Sequence, residues 1–141
     1  MNATPSIPDA SGLCTCGRRD ARGAALPFGR CCGPLLGKRA SAADAQALMR
    51  SRYTAFVLGD VDYLLATWHA STRPGDLTLD VGVRWLGLEV RAARDTGADR
   101  AEVEFVARSR PAGPGPAHRL HERSRFVRED GRWFYVDGDL L

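Results

Sequence analysis

At 141 residues, the chain is long enough for about one small domain with an appended module. No apolar run approaches the ~20 residues that a membrane-spanning helix needs, so we expect no transmembrane segment. The net charge is +3, and residues 1–43 hold six Lys/Arg against two Asp/Glu. Because this excess forms no dense basic stripe, composition argues against nucleic acid as a partner.

The N-terminal segment, residues 1–13, is rich in Pro, Ser and Ala and is predicted to be a flexible tail. It has neither the basic stretch nor the apolar stretch of a secretory signal peptide. We therefore expect a cytoplasmic protein, in which structural disulfides are rare.

All four cysteines of the chain lie in residues 14–40, as Cys14, Cys16, Cys31 and Cys32. Four thiolates close a tetrahedral zinc site without leaving a position for water. The glycines between the two cysteine pairs allow the chain to bring them together. The spacing therefore predicts a zinc-binding module over residues 14–40.

Three alternatives compete with zinc. A disulfide framework would require an oxidising compartment, and a redox-active pair would normally show Cys-x-x-Cys spacing, which is absent. Unpaired thiols could also be buried as small apolar side chains. The segment is too polar for that alternative because it carries four arginines, Arg18, Arg19, Arg22 and Arg30. Ligand number and compartment together favour zinc.

Two helices are predicted after the cysteine segment. The first begins near Ser41, where Asp44 stands three residues on in a pattern close to a capping box, and it ends at Gly59. Asp60 is suited to cap a second, shorter helix. Residues 69–79 are punctuated by proline and glycine and are predicted to be a loop.

The remaining residues favour β-strands. Residues 83–90 are β-rich, Asp95-Thr-Gly97 suggests a turn, and residues 101–108 alternate apolar with charged side chains, as in a half-buried strand. After the proline-rich loop at 111–116, two further strand-like segments flank Asp130-Gly131.

An Asp-Gly pair between such runs is a strong hairpin signal, because a type I′ turn requires positive φ at both residues. The predicted strands are residues 118–129 and 132–136. Helices followed by a meander of antiparallel strands predict an α+β domain over residues 41–141, with the helices on one face of a curved sheet.

The motif Cys14-x-Cys16-Gly17 with Cys31-Cys32-Gly33 resembles the SEC-C zinc motif, found at the C-terminus of the SecA translocation ATPase and in other bacterial proteins. The later blocks resemble, in order, the YchJ-type family of uncharacterised bacterial proteins. These blocks cover residues 47–56, 63–69, 71–74, 85–90, 121–126 and 131–138.

The resemblance implies a SEC-C-like module joined to a domain like nuclear transport factor 2 (NTF2), a cone in which a bent antiparallel sheet wraps around helices. The resemblance implies no biochemical activity, because none is established for the family. The sequence departs from the usual motif in a longer loop at residues 17–30, in Thr15 where Pro is customary, and in Arg18 where Ser is customary. Cysteine ligands tolerate a longer loop, because the entropic cost of closing a loop grows slowly with length.

Related cones include isomerases and dehydratases with polar groups in an apolar pocket, so the resemblance directs attention to residues that could line one. If residues 118–128 form a regular strand, Glu122, Ser124 and Phe126 share a face. The candidates are Tyr53, Trp68, His69, Arg73, Trp85, Glu122, Ser124, Phe126, Tyr135 and Asp137. The predicted ligand-binding set omits His69 and Asp137, and no residue is assigned as catalytic.

Each candidate also has a purely structural interpretation. Trp68, Trp85 and Phe126 could be core residues, Glu122 could pair with Arg52 or Arg73, and His69 could cap helix carbonyls.

The favoured functional hypothesis is a binding or adaptor protein that contacts a protein partner through the zinc module, as the SecA module engages a chaperone and the ribosome. The alternative is a small-molecule-binding protein or an isomerase- or hydrolase-like enzyme that uses the cone. A purely structural zinc ion that only holds the N-terminal segment against the cone is compatible with either hypothesis.

Overall fold

The computed structural model describes residues 11–141; of the predicted tail, residues 1–10 lie outside the described residues. A 3₁₀ helix at Phe28–Arg30 and three α-helices precede four strands. The α-helices are α1 (Gly33–Leu36), α2 (Ala45–Leu58) and α3 (Val61–Ala66). The strands are β1 (Arg84–Gly97), β2 (Arg100–Arg110), β3 (His118–Glu129) and β4 (Arg132–Leu140).

Helix α2 begins at Ala45 rather than near Ser41, so the predicted start was wrong. Asp44 is the N-cap itself: its backbone is extended and its carboxylate accepts a hydrogen bond from the Ala47 amide at 2.7 Å. A carboxylate that occupies the capping position leaves no role for Ser41 three residues earlier. The predicted stop is confirmed, because Gly59 adopts a left-handed conformation with φ of 73°.

We expect Asp44→Ala to lower the free energy of unfolding by about 0.5–2 kcal/mol, because it leaves a helix N–H without its acceptor. Ser41→Ala is the matched control and should change stability by less than about 0.5 kcal/mol. Urea unfolding of the two variants measures both values. A larger loss for Ser41→Ala would mean that the helix starts where the sequence alone suggested.

The four strands form one antiparallel sheet in the order β1-β2-β3-β4, a meander that confirms the α+β prediction. The alternation in β2 buries Ala101, Val103, Phe105 and Ala107, as predicted. The turn predicted at Asp95–Gly97 was wrong, because β1 continues through these residues to pair Gly97 with Arg100. The chain reverses instead at residues 98–99.

The hairpin between β3 and β4 turns at Asp130-Gly131, with φ of 50° and 77°. Both central residues therefore have the positive φ that a type I′ turn requires, and the predicted hairpin is confirmed. β4 extends beyond the predicted end at residue 136 to Leu140.

The core lies between α2 and one face of the sheet. Leu48, Met49 and Tyr53 of α2 pack in one apolar cluster with residues of the inner strands, among them Val103 and Phe126. The pairing of β1 with β2 and of β3 with β4 has register irregularities, and such irregularities bend strands. None of the helices in residues 11–141 combines the length and apolar character needed to cross a bilayer.

Candidate functional site

The cysteine segment folds as a small ribbon that brings its two cysteine pairs together. The Cys14 amide donates to the Leu26 carbonyl at 2.9 Å, and Leu13 and Pro27 form a bridge between the two sides of the ribbon. Gly17, with φ of 74°, turns the chain directly after Cys16. The long loop at residues 17–30 is therefore an ordered part of the site.

The four cysteine sulfurs all lie within 4.8 Å of one another and could hold a metal ion. The Sγ–Sγ distance is 3.5 Å between Cys16 and Cys31 and 4.0 Å between Cys31 and Cys32. Cys14, Cys16 and Cys32 are buried, Cys31 is half-buried, and all four are free thiols.

The close sulfurs shift each other's acidity. Hydrogen bonding with Cys16, and then with Cys31 and Cys32, lowers the pKa of Cys14. Hydrogen bonding with Cys14, and then with Cys16, raises the pKa of Cys31 and Cys32. The cluster therefore favours one thiolate among neutral thiols, and a cation is needed to hold more negative charge there.

The cysteine segment packs directly against α2. Arg50 donates through Nη1 to the Cys16 carbonyl at 3.0 Å, and the Thr15 and Thr54 hydroxyls are 3.1 Å apart. Cys14, Cys16, Cys32 and the ring of Phe28 belong to the same apolar cluster as Leu48 and Met49. The segment and the helix consequently share one core.

A cavity of about 230 Å³ lies between α2 and the sheet. Seven of the eight residues of the predicted ligand-binding set line it: Tyr53, Trp68, Trp85, Glu122, Ser124, Phe126 and Tyr135. Six lining residues were missed by the sequence prediction: Met49, Arg52, Phe56, Phe105, Ala107 and Leu120.

Arg73 does not line this cavity, so its predicted place there was wrong. Its side chain lies at the surface, where Nε donates to the Trp68 carbonyl at 2.9 Å. The other two candidates also lie elsewhere: the His69 imidazole contacts Glu129 at 2.7 Å, and Asp137 accepts from Arg125 at 2.6 Å. The side chain of His69 thus bonds a carboxylate rather than capping a helix.

Glu122 and Ser124 occupy the same wall of the cavity as Phe126, as strand alternation predicted. Ser124 Oγ donates to Glu122 Oε1 at 2.8 Å, and the Tyr135 hydroxyl donates to the same oxygen at 3.3 Å. Within residues 11–141, Glu122 forms no ion pair with Arg52 or Arg73, so the suggested pairing was wrong. Burial and then the Glu122 charge raise the pKa of Tyr135 to about 12.

These contacts predict which pairs of substitutions interact. Glu122→Gln and Tyr135→Phe should be non-additive by at least about 0.5 kcal/mol in the free energy of unfolding, because the two side chains are in contact. Glu122→Gln combined with Arg73→Met should be additive. Double-mutant cycles from urea unfolding measure both couplings, and coupling to Arg73 alone would contradict the observed arrangement.

Arg52 is the one charged residue among the six lining residues that the sequence prediction omitted. Its side chain is 7% exposed, and its Cζ lies 4.6 Å from the Tyr135 ring centroid and 5.2 Å from that of Trp68. Burial lowers the pKa of Arg52 to about 10. The available sequence signal was an arginine on the apolar face of α2, between Met49 and Phe56.

Comparison with known proteins identifies the family to which this architecture belongs. Residues 44–138 match the family of the YchJ middle NTF2-like domain. A UPF0225 protein from Polaromonas naphthalenivorans is 63% identical over 132 residues, which cover 89% of this chain and 96% of the relative. The chain belongs to the YchJ (UPF0225) family. The resemblance inferred from the motifs is thereby confirmed.

Solved structures agree with this membership. The solution structure of a SEC-C motif containing protein from Rhodopseudomonas palustris is 38% identical, with a TM-score of 0.78 and coverage of 92% of this chain and 99% of that one. A crystal structure of a SEC-C motif containing protein from Psychrobacter arcticus is 27% identical, with a TM-score of 0.74 and coverage of 94% and 84%. The YchJ-type chain thus combines a SEC-C motif with an NTF2-like domain.

Proposed function

We propose that this YchJ-family protein is a zinc-stabilised binding protein whose cavity takes a small molecule. The observation that carries the proposal is that one helix, α2, forms both the support of the cysteine cluster and a wall of the cavity. Zinc would hold the N-terminal segment against α2 and so keep that wall in place.

The choice of zinc rests on the sulfur geometry. A tetrahedron with Zn–S bonds of about 2.3 Å has edges of about 3.8 Å between sulfurs. Two of the Sγ–Sγ distances, 3.5 Å and 4.0 Å, lie close to that value, and all four sulfurs lie within 4.8 Å of one another. Four thiolates would fill the coordination sphere, which is typical of a structural rather than a catalytic site. Free thiols in this arrangement also support a cytoplasmic location, as proposed from the sequence.

Protein purified without chelator should contain about one zinc per chain. Elemental analysis measures the metal, and thiol titration with and without chelator measures how many cysteines are masked by it. A double substitution of Cys14 and Cys32 to Ser provides the matched control, since it removes two of the four ligands. Metal far below one equivalent, with four freely reactive thiols, would refute the zinc site.

Binding rather than catalysis is supported by the lining of the cavity. Aromatic and aliphatic side chains dominate it, and Glu122 is the one carboxylate among the lining residues of the described chain. That carboxylate already accepts hydrogen bonds from Ser124 and Tyr135. Apolar walls with few polar groups are typical of small-molecule sites.

The three tryptophans of the chain provide a direct test of small-molecule binding in the cavity. Trp68 and Trp85 line the cavity, whereas Trp133 lies outside it. In ¹⁵N-resolved NMR spectra, small apolar molecules that enter the cavity should shift the indole N–H signals of Trp68 and Trp85 and leave that of Trp133 in place. A screen of such molecules that moves no cavity signal, or moves all three alike, would refute the cavity function.

Contact with a protein partner through the cysteine segment is the second candidate. Arg18, Arg19, Arg30 and Arg50 surround a groove beside Cys31 and Cys32, which favours an acidic partner segment. Cys14, Cys16 and Cys32 are buried in the core shared with α2, so only the outer side of the cysteine segment is free to contact a partner. Full-length protein with Arg18 and Arg19 changed to Glu, compared with wild type in affinity purification, tests this role. Identical captured proteins would refute it.

A further inference from the structure

We infer that the cavity is built for a small monocarboxylate with an apolar body, held at its carboxylate by Arg52. This inference rests on the proposed function, because it names the class of small molecule that the cavity takes. It is carried by the hydrogen-bonding state of Arg52, by the charges around it and by the size of the cavity.

Arg52 is a buried cation with only part of its hydrogen-bonding capacity used. Nη1 donates to the Leu64 carbonyl and to Thr67 Oγ1, both at 2.7 Å. Within residues 11–141, Nε and Nη2 have no acceptor, and no carboxylate lies within 4.0 Å of the guanidinium. An acceptor that meets these free N–H groups would stabilise the guanidinium, because burial removes most of its hydration.

The unused groups suit a carboxylate. Nε and Nη2 form one edge of the planar guanidinium, and their two parallel N–H bonds match the two oxygens of a carboxylate. The anchoring of Nη1 on Leu64 and Thr67 fixes the orientation of this edge before any ligand arrives. Binding would therefore cost little side-chain entropy.

A second donor lies close to Arg52. Trp68 Nε1 is the one buried side-chain nitrogen or oxygen without a hydrogen-bond partner in the described part of the chain. The Trp68 ring centroid is 5.2 Å from Arg52 Cζ. Donor groups without a protein acceptor thus occur on two neighbouring side chains that line the cavity, a pattern expected where a ligand supplies the acceptors.

Glu122 is not the acceptor for the free N–H groups of Arg52. Its carboxylate is held by Ser124 and Tyr135, and it lies against Gly138 of β4, where a Cβ would overlap with it. The absence of a side chain at Gly138 therefore gives the carboxylate a position away from Arg52. The charge of Glu122 also disfavours a second acidic group on the ligand, because like charges repel strongly in an apolar cavity.

Charge and size narrow the ligand class. Arg52 and Glu122 cancel in formal charge, so a monoanion leaves the occupied cavity with one net negative charge and a phosphate dianion would leave two. The volume of about 230 Å³ is below the range of roughly 300–1,000 Å³ that is typical of drug-sized ligands. A compact carboxylic acid with an aromatic or aliphatic body fits these limits better than a nucleotide.

The test compares phenylacetate with phenylacetamide, and hexanoate with hexanamide, on the full chain. Each pair has nearly the same shape and differs in charge. Binding is followed by the indole N–H signals of Trp68 and Trp85, with Trp133 as the internal reference. We expect at least one acid to bind about tenfold or more tightly than its amide, because a hydrogen bond to a charged group is stronger than one to a neutral group.

Arg52→Met, which removes the charge and keeps most of the volume, should abolish the preference for the acid. Arg73→Met is the matched control on an exposed arginine and should leave it unchanged. Should Arg52→Met fail to fold, the acid–amide comparison on the wild-type protein decides alone.

Equal affinity of acids and amides, with cavity signals shifted, would overturn the carboxylate inference and leave the cavity function standing. No shift of the cavity signals with these four probes would overturn the inference, and the same result with a wider set of neutral molecules would overturn the cavity function as well. Loss of acid binding in Arg73→Met but not in Arg52→Met would also overturn the inference, because the anchor would then be the exposed arginine.

Discussion

Chelation of the metal should lower the melting temperature by at least about 10 °C. Structural zinc contributes several kcal/mol or more to small modules, and each kcal/mol corresponds to roughly 2–8 °C for domains of this size range. The loss should be large here because Cys14, Cys16 and Cys32 share a core with α2. Without metal, no metal–sulfur bonds would link the two cysteine pairs inside that core.

The secondary structure should mostly survive chelation. The four-stranded sheet, α2 and α3 all lie after residue 40, so far-UV circular dichroism should change little. Residues 14–36 should become sensitive to trypsin, with cleavage at the four arginines of the segment, Arg18, Arg19, Arg22 and Arg30.

The double substitution of Cys14 and Cys32 to Ser is the control for this experiment. It should melt at the lower temperature without chelator and should not respond to chelator. If chelation removes all secondary structure, zinc stabilises the whole fold and the cysteine segment is not a separable module. If chelation leaves both melting and proteolysis unchanged, the stabilising role of zinc is wrong.

Phe126→Ala should lower the free energy of unfolding by about 3–5 kcal/mol. Phe126 is 2% exposed on the inner strand β3 and packs edge to face with Tyr135 at a centroid distance of 5.9 Å. Its removal would take away buried apolar surface and merge the vacated space with the existing cavity. Urea unfolding, with a check that the denaturant slope stays constant, measures the loss.

Leu120→Ala is the matched control for Phe126→Ala. Leu120 lies on the same strand and lines the same cavity but is 37% exposed, so its truncation should cost less than about 1 kcal/mol. Equal losses in the two variants would show that Phe126 is not part of the core.

Features set by neighbouring residues could be predicted from the sequence. The hairpin at Asp130-Gly131 and the end of α2 at Gly59 depend on backbone angles that few residues adopt. Alternation in β2 likewise predicted its buried face, since side chains of a strand point to opposite sides by geometry. The four cysteines were identified as candidate metal ligands from their number and spacing, and the structure brings their sulfurs within 4.8 Å of one another.

The helix start shows where this local information ends. Ser41 and Asp44 both carry a side chain that can cap a helix, and sequence preference alone did not separate them. In the folded chain the Asp44 carboxylate meets the Ala47 amide. The turn after β1 was misplaced for a related reason, because Gly97 remains paired with Arg100 in the ladder.

Only the tertiary structure decided which arginine reaches the cavity. Arg73 follows the segment after α3, in which Trp68 forms a bridge with Tyr135 of β4, and it remains on the surface. Arg52 lies on the face of α2 that the sheet covers, so its guanidinium is buried against the rings of Trp68 and Tyr135. The sequence determined that α2 has an apolar face and that the sheet follows it, whereas the docking of β4 and the Trp68 segment determined what that face encloses. Such contacts join residues far apart in the chain, and no local pattern specifies them.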